Sequence, residues 1–138
     1  TPTAVEEIVR YRSPVTFKRR TATGDVTVGG REFHEGDKVV MLYGAANRDP
    51  RMFPDPEKFL VQRDPNPHVG FGGPGPHYCL GAHLARREMS VAFRQIFTRL
   101  PDIEVVGDPV PIEAMGIPLV SGLKRLPVKF TPTAPVGT

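Results

Sequence analysis

Apolar residues recur at helical spacing over one long stretch, from Leu80 to Leu100. Ala85, Met89, Ala92, Phe93, Ile96, Phe97 and Leu100 fall on one stripe, and Pro101 closes the segment. The stripe is expected to be ordinary core. A second helix is expected from about Ala4 to about Arg12. Thr3 followed by Glu6 has the form of a capping box, and Pro14 ends the run. Between the helices the period changes. Val15 to Ala22 alternates roughly as a strand does, so Arg19 and Arg20 point to opposite faces. Asp25 to Phe33 reads as a hairpin about Gly29-Gly30. His34 to Asp37 makes the next turn, Lys38 to Tyr43 a third strand, and Gly44 to Asn47 a short helix before Pro50. Residues 51–70 have no period and read as an irregular loop; one of this length inside a compact domain is usually functional or disordered. Short strands follow Asp102, with Val128 to Phe130 closing and Thr131 to Thr138 a loose tail. No repeat or linker divides residues 1–138, which read as one α plus β unit.

Composition narrows the function classes. Of 138 residues, 39% are hydrophobic and 24% charged, enough for a core. Fourteen glycines and sixteen prolines favour turns over a helical bundle. The net charge of +3 is spread along the chain without a basic tract, which argues against nucleic-acid binding. No apolar run approaches membrane-spanning length. A single cysteine excludes an internal disulfide and fits a reducing, cytoplasmic setting. Thr1-Pro2-Thr3 has no signal-peptide pattern and no initiating Met, which suggests a fragment or a processed chain.

That cysteine, Cys79, sits where the chemistry concentrates. Gly70, Gly72, Gly73 and Gly75 precede it and Gly81 follows it, at the mouth of the long helix. A helix N-terminus favours thiolate over thiol, and the thiolate binds metal or attacks carbon. Glycines let the backbone turn at φ > 0 and let a flat ligand approach it closely. From these residues alone an inert buried cysteine ranks first. A nucleophile paired with His83 or His77 ranks second, and zinc held with His77 and His83 third.

The stretch His68-Val69-Gly70-Phe71-Gly72-Gly73-Pro74-Gly75-Pro76-His77-Tyr78-Cys79-Leu80-Gly81 resembles the haem-ligating loop of the cytochrome P-450 family, the haem-thiolate monooxygenases. Further landmarks follow the family's order. Glu7-Ile8-Val9-Arg10 resembles its E-x-x-R helix, and Arg20-Thr21-Ala22 a strand arginine that holds a haem propionate. Ala46-Asn47-Arg48-Asp49 and Phe53 to Phe59 resemble its meander. Pro118 to Lys124 looks like a late hairpin whose tip can touch substrate.

The resemblance implies the C-terminal, haem-binding part of one larger, mainly helical domain, with the N-terminal part of the same protein absent. Cys79 would be the axial iron ligand and the catalytic thiolate. Arg20, with Arg19 as the alternative, and His77 would hold propionates. Phe71 would pack beside the thiolate and limit water, Gly72 would contact the cofactor, and Gly81 would donate its N–H toward the sulfur. Glu7, Arg10 and Arg63 would form a buried triad, with Lys58 standing where the family's meander carries arginine. The cofactor implied is haem b, reduced from NAD(P)H through a ferredoxin reductase and a ferredoxin. The reaction implied is hydroxylation of an apolar small molecule with dioxygen. Phe71 precedes Cys79 by one residue more than in the commonest loop. A similar Gly-Gly loop occurs in actinobacterial members that oxidise sterols and branched lipids. Arg86 and Arg87 would face an acidic redox partner or solvent. By the same resemblance the chain alone is inactive; a non-catalytic haem-binding fragment and a cysteine-nucleophile enzyme are the rival readings.

Overall fold

The computed structural model describes residues 2–112 and 120–133. Elements run α1 (Pro2–Tyr11), β1 (Phe17–Thr21), β2 (Val26–Val28), β3 (Arg31–Phe33), β4 (Lys38–Leu42), α2 (Tyr43–Ala46), α3 (Ala82–Arg99), β5 (Glu104–Val105), β6 (Val110–Pro111), β7 (Leu123–Arg125) and β8 (Val128–Lys129). The architecture is α plus β. Among the described residues the strands form four two-stranded antiparallel ribbons: β1 with β4, β2 with β3, β5 with β8, and β6 with β7.

Local chemistry explains most of these elements. Gly29 and Gly30 both have positive φ, 59° and 76°, which lets two residues reverse the chain between β2 and β3. The third expected strand, β4, pairs with β1 rather than with that hairpin, Phe17 opposite Leu42 and Thr21 opposite Lys38. The expected capping box at Thr3 does not form. The helix already includes Pro2, whose fixed φ suits a first turn, and the Glu6 carboxylate is engaged by His68 and Arg86 instead. The expected closing strand is β8, paired with β5. Pro118 and Leu119 of the expected late hairpin lie outside the described residues, as do residues 134–138 of the expected tail.

The core is small and unusually polar. Its buried apolar side chains are Val5, Val9, Phe53 and Ala82, and beside them lie buried Glu7, Arg10, Ser13, Asn47 and Arg63. The α3 stripe departs from expectation. Ala82 is the one buried residue of that helix, while Ile96 is 36% and Phe97 65% exposed. The apolar face is formed as the periodicity requires, with Phe93 and Phe97 stacked at 6.2 Å. Among the described residues the main helix contact of α3 is with α1, which leaves that face uncovered in this chain. Between them an apolar groove lined by Ala4, Val5, Ile8, Phe59, Val61, Phe93 and Phe97 stays open.

Candidate functional site

Glu7 and Arg10, one helical turn apart on α1, are both fully buried. Arg10 Nε and Nη2 donate to the two Glu7 oxygens at 2.7 and 2.8 Å, the bidentate geometry a planar guanidinium allows. Its remaining N–H groups donate to the carbonyls of Asn47, Pro56 and Lys58 at 2.8, 2.9 and 3.0 Å. Each of the five guanidinium donors thereby has an acceptor. Arg63 approaches the same carboxylate, with Nε 3.2 Å from Oε2, and donates to the carbonyls of Pro54, Asp55 and Lys58. Two cations thus surround one anion, and the surplus charge rests on backbone carbonyl dipoles.

This knot explains how residues 51–70 hold a fixed path without helix or strand. Buried carbonyls need donors, and here two arginines supply them. Leu60 N–H and Asn66 Nδ2 also donate to Glu7, at 2.8 and 3.1 Å. Burial on its own pushes the Glu7 carboxyl up. The hydrogen bonds from Arg10, Leu60 and Arg63 outweigh it and bring the pKa from 4.5 to about 2. The knot takes only the backbone carbonyl of Lys58; its ammonium pairs with Asp55 on the surface.

Asn47, for which the sequence suggested no role, ties the knot to the cysteine loop. Its Nδ2 donates to Ser13, its carbonyl accepts from Arg10, and its Oδ1 accepts the Val69 N–H at 2.8 Å. Gly70 follows, buried against α1. A Cβ there would collide with Val9 Cγ1 and lie 3.1 Å from the Val9 carbonyl, so this glycine serves close packing. Its position ahead of the cysteine could not separate packing from ligand approach.

Beyond Gly70 the loop turns through Gly72 and Gly75, whose φ values of 93° and 133° suit glycine. The Cys79 N–H donates to the Phe71 carbonyl at 2.9 Å, and the Ala82 N–H donates to the Cys79 carbonyl at 3.2 Å. Cys79 is exposed, three residues before α3. Gly81 is the N-cap of α3, its Cβ direction open. No hydrogen bond joins the Cys79 sulfur to His77 or His83 among the described residues. Nor do any three or more His, Cys, Asp or Glu side chains there form a metal-holding group.

The loop forms one wall of a cavity of about 480 Å³. Val69 and residues 72–77 line it from the cysteine loop, together with Arg20, Met41, Leu42, Tyr43 and Ala46. The structure brings Arg20 and His77, 57 positions apart, to one cavity. Arg19, which faces the other way along β1, is not among the lining residues. The lining is mostly apolar, with cationic or hydrogen-bonding groups from Arg20 and His77. That donor set fits a flat apolar group carrying anionic arms. Phe71 lies with its ring between His68, 5.9 Å away centre to centre, and the Arg86 guanidinium, 4.5 Å from its centroid.

A buried carboxylate–diarginine knot thus fixes an ordered loop without regular structure, and that loop leads into a glycine-rich cysteine turn at a helix mouth, the order of landmarks in which the sequence resembles the cytochrome P-450 family. Comparison with known proteins agrees. The model of the family Cytochrome P450 matches residues 1–120. The chain belongs to the cytochrome P450 family. It is 48% identical over 130 residues to a methyl-branched lipid omega-hydroxylase of Mycobacterium bovis, covering 94% of this chain and 30% of that protein. It is 52% identical over 128 residues to a steroid C26-monooxygenase of Rhodococcus jostii, covering 93% of this chain and 26% of that one. Among solved structures, CYP109E1 from Bacillus megaterium in complex with testosterone superposes with a TM-score of 0.86 at 40% identity, over 94% of this chain and 35% of that one. The chain therefore spans less than a third of the length of the curated relatives it matches.

Proposed function

We propose that residues 1–138 are the C-terminal, haem-binding part of one larger cytochrome P450 domain, and that the whole protein hydroxylates an apolar lipid, a sterol or a branched chain. The observation that carries this is the mostly apolar cavity that residues 72–77 of the cysteine loop share with Arg20; His77, two residues before Cys79, lines it, and Cys79 itself does not. In this reading haem b occupies that cavity, and bound there it supplies dioxygen activation and insertion of one oxygen atom into a C–H bond. Cys79 would hold the group's iron through its thiolate. Arg20 and His77 would hold its carboxylates, a cation or N–H donor for each. Gly72, Gly73 and Gly75 carry no side chain and would allow close approach of a flat ring, with the Pro74 ring the one side chain of the turn. Gly81, the N-cap of α3, would donate its N–H toward the sulfur and moderate its charge. The Glu7–Arg10–Arg63 knot keeps the loop behind this site in place.

The relatives' names support the lipid and sterol class. Electrons from NAD(P)H through a ferredoxin reductase and a ferredoxin, a cytoplasmic location, and inactivity of residues 1–138 by themselves belong to the same proposal. No described helix is long and apolar enough to cross a membrane. The test is turnover by the full-length protein with ferredoxin, reductase, NADPH and labelled dioxygen, using a steroid and a methyl-branched fatty acid. One labelled oxygen in either product supports the reading. Absence of product from both, in a preparation that binds haem, overturns the substrate class.

A further inference from the structure

Arg86, on the second turn of α3, was expected to face a partner or water. Its guanidinium is instead held by Glu6 of α1. Arg86 Nε lies 2.6 Å from Oε1 and Nη2 2.9 Å from Oε2, a bidentate pair at the edge of the core. Glu6 is itself fixed by His68, whose Nε2 lies 2.8 Å from Oε2. His68 Nδ1 accepts the Gly70 N–H at 3.1 Å, so in the neutral ring Nε2 carries the proton and donates to Glu6. Held this way, Arg86 touches the cysteine loop twice. Its guanidinium lies over the Phe71 ring at 4.5 Å, and Nη1 donates to the Tyr78 hydroxyl at 3.2 Å. Phe71 and Tyr78 bracket the glycine turn. Phe71 also accepts the Cys79 N–H through its carbonyl, and Tyr78 is the residue before the cysteine.

We propose that Arg86, oriented by Glu6, is a positioning residue for Cys79: it clamps both ends of the glycine turn and so fixes the direction in which the sulfur is presented. The proposal rests on the haem-thiolate reading above. Without the clamp the turn has glycine freedom at both ends, at Gly72 and Gly75, and Pro74 alone restrains its middle. Lysine at this position would keep the charge but lose both the fork that Glu6 binds and the flat face on Phe71.

The test uses the full-length haem protein. The readout is the rate at which the thiolate-type spectrum of its ferrous–carbon monoxide complex gives way to the thiol type in dilute urea. Arg86→Gln, Arg86→Lys and Glu6→Gln are compared with Arg99→Gln, at an exposed position in the last turn of the same helix. Arg86→Gln is expected to convert about tenfold faster than the parent, on the scale of a lost bidentate pair and cation–π contact. Arg86→Lys should recover only part of that, Glu6→Gln should fall between, and Arg99→Gln should match the parent. Far-ultraviolet circular dichroism should stay unchanged during conversion, which separates loop release from global unfolding. Parent-like rates in Arg86→Gln, or equal acceleration in Arg99→Gln, overturn the clamp. If Arg86→Gln does not fold, parent-like rates in both Arg86→Lys and Glu6→Gln overturn it. A thiolate-type spectrum that persists in Cys79→Ala would overturn the haem-thiolate reading itself, and the clamp with it.

Discussion

Glu7→Gln is the sharpest perturbation of the knot, because it keeps the side chain's shape, removes its charge and turns one of its two acceptor oxygens into a donor facing donors. Arg10 and Arg63, both buried, would then share a neutral amide. Arg10 has no other place to send the two donors it aims at Glu7, and the Leu60 N–H and Asn66 amide lose the same charged acceptor. Breaking a buried ion pair from one side costs about 3–5 kcal/mol, a large share of the roughly 5–15 kcal/mol that holds a domain folded. The acid side gives an independent figure. Glu7 titrates near 2 when folded against 4.5 ordinarily, worth about 3 kcal/mol. Because the folded value is depressed, this stability is complete above about pH 4.5 and is lost as pH falls toward 2. Urea unfolding of the full-length haem protein at pH 7 should show the midpoint falling with an unchanged slope. Between pH 5 and 3 the parent should lose stability faster than Glu7→Gln, since the variant has no carboxylate there to protonate. A cost below about 1 kcal/mol at pH 7, or parallel acid limbs, would refute the reasoning.

Arg63→Lys keeps a cation but cannot span Glu7 and three loop carbonyls, so it should cost about 2–3 kcal/mol in the same unfolding assay. Gly70→Ala should cost about 1–3 kcal/mol, because its Cβ has to displace Val9 or the loop; near-neutral stability would mean that the close approach is not rigid. Arg20→Gln and His77→Gln should each speed transfer of haem to apomyoglobin by about tenfold, while Arg19→Gln should leave the rate unchanged.

Much of the fold was legible because its local signals are strong. The helical stripe of α3, the Gly29-Gly30 turn and the alternation in β1 each follow from a period or a backbone conformation that few residues can adopt. What spacing could not settle was environment. Glu7 and Arg10 three apart fit an exposed pair equally well; only the carbonyls of Asn47, Pro56 and Lys58, 37 to 48 positions away, turn the pair into a buried knot. The α3 stripe was read as core because amphipathicity marks a face that can be buried; in this chain, which spans less than a third of the relatives' length, Phe97 faces outward, uncovered by the described residues. Thr3 and Glu6 had the form of a cap, yet Glu6 is engaged 80 positions downstream by Arg86. Asn47 and His68 carried no periodic or charge signal, and each acts through contacts with distant chain.

The ferrous–carbon monoxide spectrum of the full-length protein, recorded beside Cys79→Ala, reads the identity of the iron's axial atom most directly. A thiolate-type band in the parent that vanishes in the variant is the predicted result. The same band in both, or in neither when haem is bound, would contradict it.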